Sequence, residues 1–99
     1  LNGADLRGAN FSGSDLQYAT LKQANLNGAN LNGADLRKAN FFGADLRNAK
    51  LEWTKLRGAN LTEANLTDAI IKFEIYENLD IAILCKTKTS LGEQNSDCK

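Results

Sequence analysis

The chain is 99 residues long, with 12 basic and 12 acidic side chains and no His, Pro or Met. That length suits one domain with one core, and a formal net charge of zero excludes both the basic excess of a polyanion binder and a strongly acidic decoy surface. Without His the chain lacks the commonest acid–base catalyst and a principal metal ligand, and no apolar run approaches the ~18–20 residues of a membrane span.

From the first residue a five-residue period runs along the chain. Leu, Phe or Ile recurs at Leu1, Leu6, Phe11, Leu16, Leu21 and onward without a polar exception to Leu66 and Ile71. Two places before each of these from Leu6 onward lies a small residue, Ala at every slot except Ser14 and Thr54. The repeat begins at once, so no signal peptide is expected before Leu1, and a mature or trimmed form is the expectation.

A period of five suits neither an α-helix nor a flat strand. Apolar residues at that spacing wind around a helix and build no single face, and in an extended strand the odd spacing sends successive ones to opposite faces. One corner per pentad resolves this by turning the chain, so that the small and the large residue of each side both point inward. Gly3, Gly8, Gly13, Gly28, Gly33, Gly43 and Gly58 lie two places after the large residue, where a type II turn needs φ > 0. The same slot holds Tyr18, Gln23, Lys38, Asn48, Trp53, Glu63, Asp68 and Phe73. Apart from Asn48, these require another turn type or strain.

The pentads Ala4-Asp5-Leu6-Arg7-Gly8 and Ala29-Asn30-Leu31-Asn32-Gly33 resemble those of the pentapeptide-repeat family, over residues 1–71. The resemblance implies an all-β fold, a right-handed quadrilateral β-helix of about 3.5–4 coils, in which residue n stacks on n+20. Four interior columns follow, among them Leu6/Leu26/Leu46/Leu66. After Ile71 the register breaks, because Glu74 would fall in the small inward slot, where a charge is costly. Residues 72–99 are therefore expected to form an irregular last coil and C-terminal cap within the same domain. Residues 72–78 read as an insertion or loop, with part of a coil resuming near Leu79–Leu84. A short amphipathic helix using Phe73, Tyr76 and Leu79 is the alternative. Residues 86–99 read as a polar closing loop.

Cys85 and Cys98 are too few for a zinc site without further Cys or His, and a reactive thiol would want a base. Some members of the family end in a similar Leu-Cys…Cys tail, which implies a Cys85–Cys98 disulfide; two reduced thiols are the alternative. The bridge would place the protein in the periplasm or thylakoid lumen, and its absence in the cytoplasm. The Asp and Asn residues before each large residue are expected to face outward and bond nearby backbone or stack in ladders, not to form a carboxylate site. Arg37 and Arg57 stack beside Lys38 and Lys55, with Asp15 and Asp35 close enough to make a mixed solvated face.

Outward-facing Phe42, Trp53 and Phe73 are the candidate interaction surface; packing of the 72–78 loop is the other use for the Trp53/Phe73 pair. No nucleophile–base pair, metal set or phosphate loop occurs, so neither catalysis nor a cofactor is expected. A structural or protein-binding module is the favoured class, with an unidentified protein partner, no nucleic acid and no membrane span, as a monomer or weak end-to-end dimer. The alternative, implied by some relatives, is a DNA-mimic modulator of a topoisomerase such as gyrase. Fewer than four coils, about 17–20 Å long at strand spacing, and zero net charge weigh against it.

Overall fold

Each pentad from Leu6 to Leu66 makes one corner, and four corners return the chain to its starting direction after twenty residues. In the computed structural model, residues 1–72, 87–89 and 92–94 are described. Parallel pairing links positions twenty apart along the solenoid: Asp5 with Asn25 and then Asp45, Asn10 with Asn30 and then Lys50, Asp15 with Asp35 and then Lys55, Thr20 with Asn40 and then Asn60. On one side the pairing lengthens into two short strands, β1 (Lys50–Glu52) and β2 (Ile70–Lys72), parallel and in the same register. Elsewhere each side is too short between corners to exceed a single bridged residue.

The corner explains the pentad. Leu6 is its first residue, Arg7 its second, Gly8 its third and Ala9 its fourth, closed by the Ala9 N–H donating to the Leu6 carbonyl at 3.1 Å. Only the third residue has positive φ, +68° at Gly8, which is the type II pattern. The non-glycine corners keep the positive φ: Tyr18, Gln23, Lys38, Asn48, Trp53, Glu63 and Asp68 have φ between 58° and 62°, and all of them but the Trp53 corner keep the closing main-chain bond. They accept strain and do not change turn type, because a different turn would tilt the side and break the bonds to the coils above and below.

Those bonds use most of the backbone. The Leu6 and Gly8 N–H groups donate to the carbonyls of Asn25 and Asn27 in the next coil at 2.7 and 3.0 Å, and the Asn25 N–H donates back to Ala4 at 2.9 Å. An orphaned N–H is thereby avoided at four of the five positions in the pentad.

Inside, the large and small slots form the core. Leu21, Leu26, Leu31, Leu36, Phe41, Leu46, Leu61 and Leu66 and the alanines from Ala24 to Ala64 are buried. The first coil is only half covered, with Leu6, Phe11 and Leu16 packed against the core from one side and Leu1 60% exposed. Thr54, a polar residue in a small slot, is buried at 2% and directs its hydroxyl to the Leu51 carbonyl at 3.2 Å, so it costs no unpaired group.

Beyond the solenoid, β3 (Thr87–Thr89) pairs antiparallel with β4 (Gly92–Gln94), Thr87 opposite Gln94 and Thr89 opposite Gly92. The polar stretch expected to be a closing loop therefore contains regular pairing. Its alternation of Thr and Lys suits a strand, but the stretch is too polar to announce one.

Candidate interaction face

Corners set the direction of every outward side chain, and the stacking register sorts these into columns. Two corner columns border one side of the solenoid. Before it come Gly13, Gly33 and Trp53; after it come Tyr18, Lys38 and Gly58. Between them lie Asp15, Asp35 and Lys55 in one row and Gln17, Arg37 and Arg57 in the other. Trp53 is 57% exposed and Tyr18 is 72% exposed, each on a left-handed residue that an L side chain rarely adopts. The Lys38 stem lies across the corner of Gly58, its Cγ 3.2 Å from where a β-carbon on that glycine would stand.

Of the three aromatics expected on the surface, Trp53 stands out from its corner, above two glycines that leave the corner below it bare. Phe42 is half-buried and sits on a different side, where its N–H donates to Asn40 Oδ1 at 3.0 Å. Phe73 lies outside the described residues, and so do Cys85 and Cys98. Tyr18 is the aromatic that sequence reasoning passed over. Its signal was available, since an aromatic at the third corner position has no inward slot to fill.

Asp and Asn before each corner have a defined task. Asp5 Oδ1 accepts the Arg7 N–H at 3.3 Å, and Asn30 Oδ1 accepts that of Asn32 at 3.0 Å, so the second corner N–H is covered by an Asx turn. Where Arg follows an Asp by two places, its guanidinium joins the same carboxylate. Nε donates to Oδ1 and Nη2 to Oδ2 at 2.8 and 2.7 Å for Arg7–Asp5, at 2.9 and 2.6 Å for Arg37–Asp35, and at 2.9 and 2.7 Å for Arg47–Asp45. The outward ladders thus carry out the local backbone bonding expected of them, with three Asp–Arg forks added.

These forks hold the carboxyls acidic. The Arg7 guanidinium lowers Asp5 to about 2, and Arg37 and Arg47 lower Asp35 and Asp45. A depressed folded-state pKa contributes stability that is present above the unfolded value, ~3.9, and is lost as pH falls through the folded one. The melting temperature should therefore drop as pH falls from about 4 towards 2. Arg47→Gln should make that drop shallower, and the loss should be modest because the forks are open to solvent. Thermal melts by circular dichroism at stepped pH check this; a flat profile down to pH ~2 would remove the forks from the account.

Among the described residues no group of three or more Cys, Asp, Glu or His is placed to hold a metal, and no helix is long and apolar enough to cross a membrane. The cavity between the leucine columns is lined by Leu36, Phe41, Leu51, Leu61 and Ile71 among other apolar residues.

Parallel twenty-residue coils with one corner per pentad define a repeat solenoid whose surface is a set of flat, side-chain-bearing sides. The model of the pentapeptide repeats matches residues 4–43 and 44–73, in 8 copies, and the chain belongs to the pentapeptide-repeat family. Among solved structures it is similar to QnrB1, a plasmid-mediated fluoroquinolone resistance protein, with 25% identity and a TM-score of 0.57 over 75% of this chain and 44% of that one. A pentapeptide repeat protein from Nostoc Pcc 7120 is 32% identical, with a TM-score of 0.46 over 82% of this chain and 77% of that one. Another, from the Arabidopsis thaliana thylakoid lumen, is 36% identical, with a TM-score of 0.30 over 73% of this chain and 59% of that one. The chain spans less than half of the QnrB1 structure. A search of the curated proteins finds no match.

Proposed function

We propose that this chain is a non-enzymatic protein-interaction module, a right-handed four-sided β-helix that presents the side between the Trp53 and Tyr18 corners to a protein partner. The observation that carries this is the pair of exposed aromatics on strained corners flanking one side. Glycine would be more stable at both positions, and Trp and Tyr are the residues that anchor protein interfaces. An aromatic kept where the backbone disfavours it and the core does not need it is in place for what it touches outside.

The topoisomerase alternative draws support from the similarity to a fluoroquinolone resistance protein. The charge opposes it, since basic residues outnumber acidic ones through Lys72, whereas a duplex mimic needs an acidic surface. A DNA supercoiling assay should give the same gyrase activity with and without the protein.

Trp53→Gly is the direct test. It restores the residue that the column carries at Gly13 and Gly33 and relieves about 1 kcal/mol of left-handed strain, so the melting temperature should stay level or rise. Retention of the partner from native extract should fall at least tenfold, and Tyr18→Gly should act in the same direction. Unchanged retention by both variants overturns the assignment of this side.

A further inference from the structure

The second residue of every corner from Arg7 to Thr67 has its N–H accepted by a side chain, with one exception. Most are covered by the Asx two places earlier. Where that Asx is replaced, a neighbouring coil supplies the oxygen. Thr20 stands in an Asx slot, and the Lys22 N–H donates instead to Asn2 Oδ1 at 3.0 Å. Lys50 stands in another, and the Glu52 N–H donates to Asn32 Oδ1 at 3.0 Å. The exception is Arg57. Lys55 occupies its Asx slot, and the residue twenty places before it, Arg37, carries only donors and is forked to Asp35. Among the described residues the Arg57 N–H has no acceptor, and its guanidinium has no carboxylate.

The chain itself displays what would satisfy these donors. In the Asp5–Arg7, Asp35–Arg37 and Asp45–Arg47 units one planar carboxylate accepts an Arg main-chain N–H and both arms of its guanidinium, the N–H bonds being 3.3, 3.2 and 3.1 Å. Arg57 is the same unit with the carboxylate taken out and an ammonium put beside it. Charge-assisted bonds to a forked guanidinium are among the strongest polar contacts a surface can offer. Lys55 and Lys38 flank the site, and Asp35, one coil below Lys55, is held by Arg37. Asp15 lies one coil further down the same row, and its Oδ1 accepts from Gln17. Among the described residues the side is thus net positive, and it is the side bordered by Trp53 and Tyr18.

We propose that Arg57, through its main-chain N–H and guanidinium with Lys55 and Lys38 beside them, binds an aspartate or glutamate carboxylate from an acidic, extended segment of a partner protein. This rests on the interaction-module assignment of the same side and specifies the chemistry of the partner. The three internal units favour a carboxylate over a phosphate, because the planar two-oxygen fork is the shape that this backbone and this Arg already hold.

The test is a titration of the 15N-labelled full chain with a capped synthetic peptide carrying aspartates at alternate positions, followed by amide shifts, with the asparagine and phosphoserine versions of the peptide as separate arms. The Arg57 amide should move far more than that of Arg47, whose carboxylate is internal, and the asparagine peptide should bind at least tenfold more weakly. Lys55→Asn supplies an internal acceptor and should weaken the aspartate peptide about tenfold. Lys38→Asn makes the same charge change on the same side but leaves the Arg57 N–H open, and should weaken it less than threefold. Both variants should melt within a few degrees of the parent. Equal losses in the two variants, an Arg57 amide that moves no more than that of Arg47, or tighter binding of the phosphoserine peptide would each overturn the proposal. If the aspartate peptide binds as expected but Trp53→Gly retains its partner, the site stands and the interaction-module assignment of this side fails.

Discussion

Leu26→Asp should abolish cooperative folding. Leu26 is fully buried, in a column between Leu6 and Leu46, and its coil is bonded to neighbours on both sides. A carboxylate there lies within the apolar core cluster, and an unpaired buried charge costs several kcal/mol. That is comparable to the ~5–15 kcal/mol of a whole domain. A solenoid has no alternative core into which the side chain can turn, since the outward route requires reversing the corner and breaking a coil's worth of hydrogen bonds. The expected result is a chain with no sigmoidal melt by circular dichroism, whereas Leu26→Ala should fold with a loss of about 2–5 kcal/mol. A Leu26→Asp variant melting within a few degrees of the parent would mean that the column is not core.

Enlarging a small slot should destabilise the fold without abolishing it. Ala34 is fully buried, and its N–H closes the corner that begins at Leu31, at 3.0 Å. Small residues at these slots are what allow four leucines per coil to meet at the centre. Ala34→Leu has nowhere to put three more carbons, because the side chain points inward and the coils are held at hydrogen-bond spacing. Overpacking of a close-packed core costs typically about 1–3 kcal/mol, and here the corner cannot move to relieve it. Chemical denaturation should show the midpoint falling with the slope unchanged. The contrasting substitution is Thr54→Val, which trades one hydroxyl bond for a methyl of similar size and should cost about 1 kcal/mol. If Ala34→Leu proved as mild as Thr54→Val, size would not be what the small slot selects.

How far the sequence could be read depends on which interactions repeat. A feature present in every pentad, such as the large inward residue, the small inward residue or the turn residue, leaves a period that one chain displays without help. The period of five excluded helix and flat strand because neither geometry can place Leu6, Phe11 and Leu16 on one side of anything. The role of Asp5, Asn10 and Asp15 as local backbone acceptors was legible in the same way, since short Asx side chains reach only their neighbours.

What departs from the period was decided by the stack. Turn propensity alone leaves open whether Tyr18, Lys38 or Trp53 changes the corner or bears strain; each is held at φ near +60°, because the bonds to adjacent coils outweigh about 1 kcal/mol of local strain. Phe42 and Trp53 both read as outward aromatics, yet one is half-buried and the other 57% exposed. They hold different corner positions, the second for Phe42 and the third for Trp53, and the register of twenty stacks Phe42 with Lys22 and Thr62 but Trp53 on Gly33. Lys50 and Lys55 look alike in the sequence, two lysines in consecutive Asx slots. Only the register of twenty places Asn32 under one corner and Arg37 under the other, so that one backbone N–H is covered and the other faces outward. A pentad states what its own residues can do; which of its needs are met is a property of the coil on which it rests.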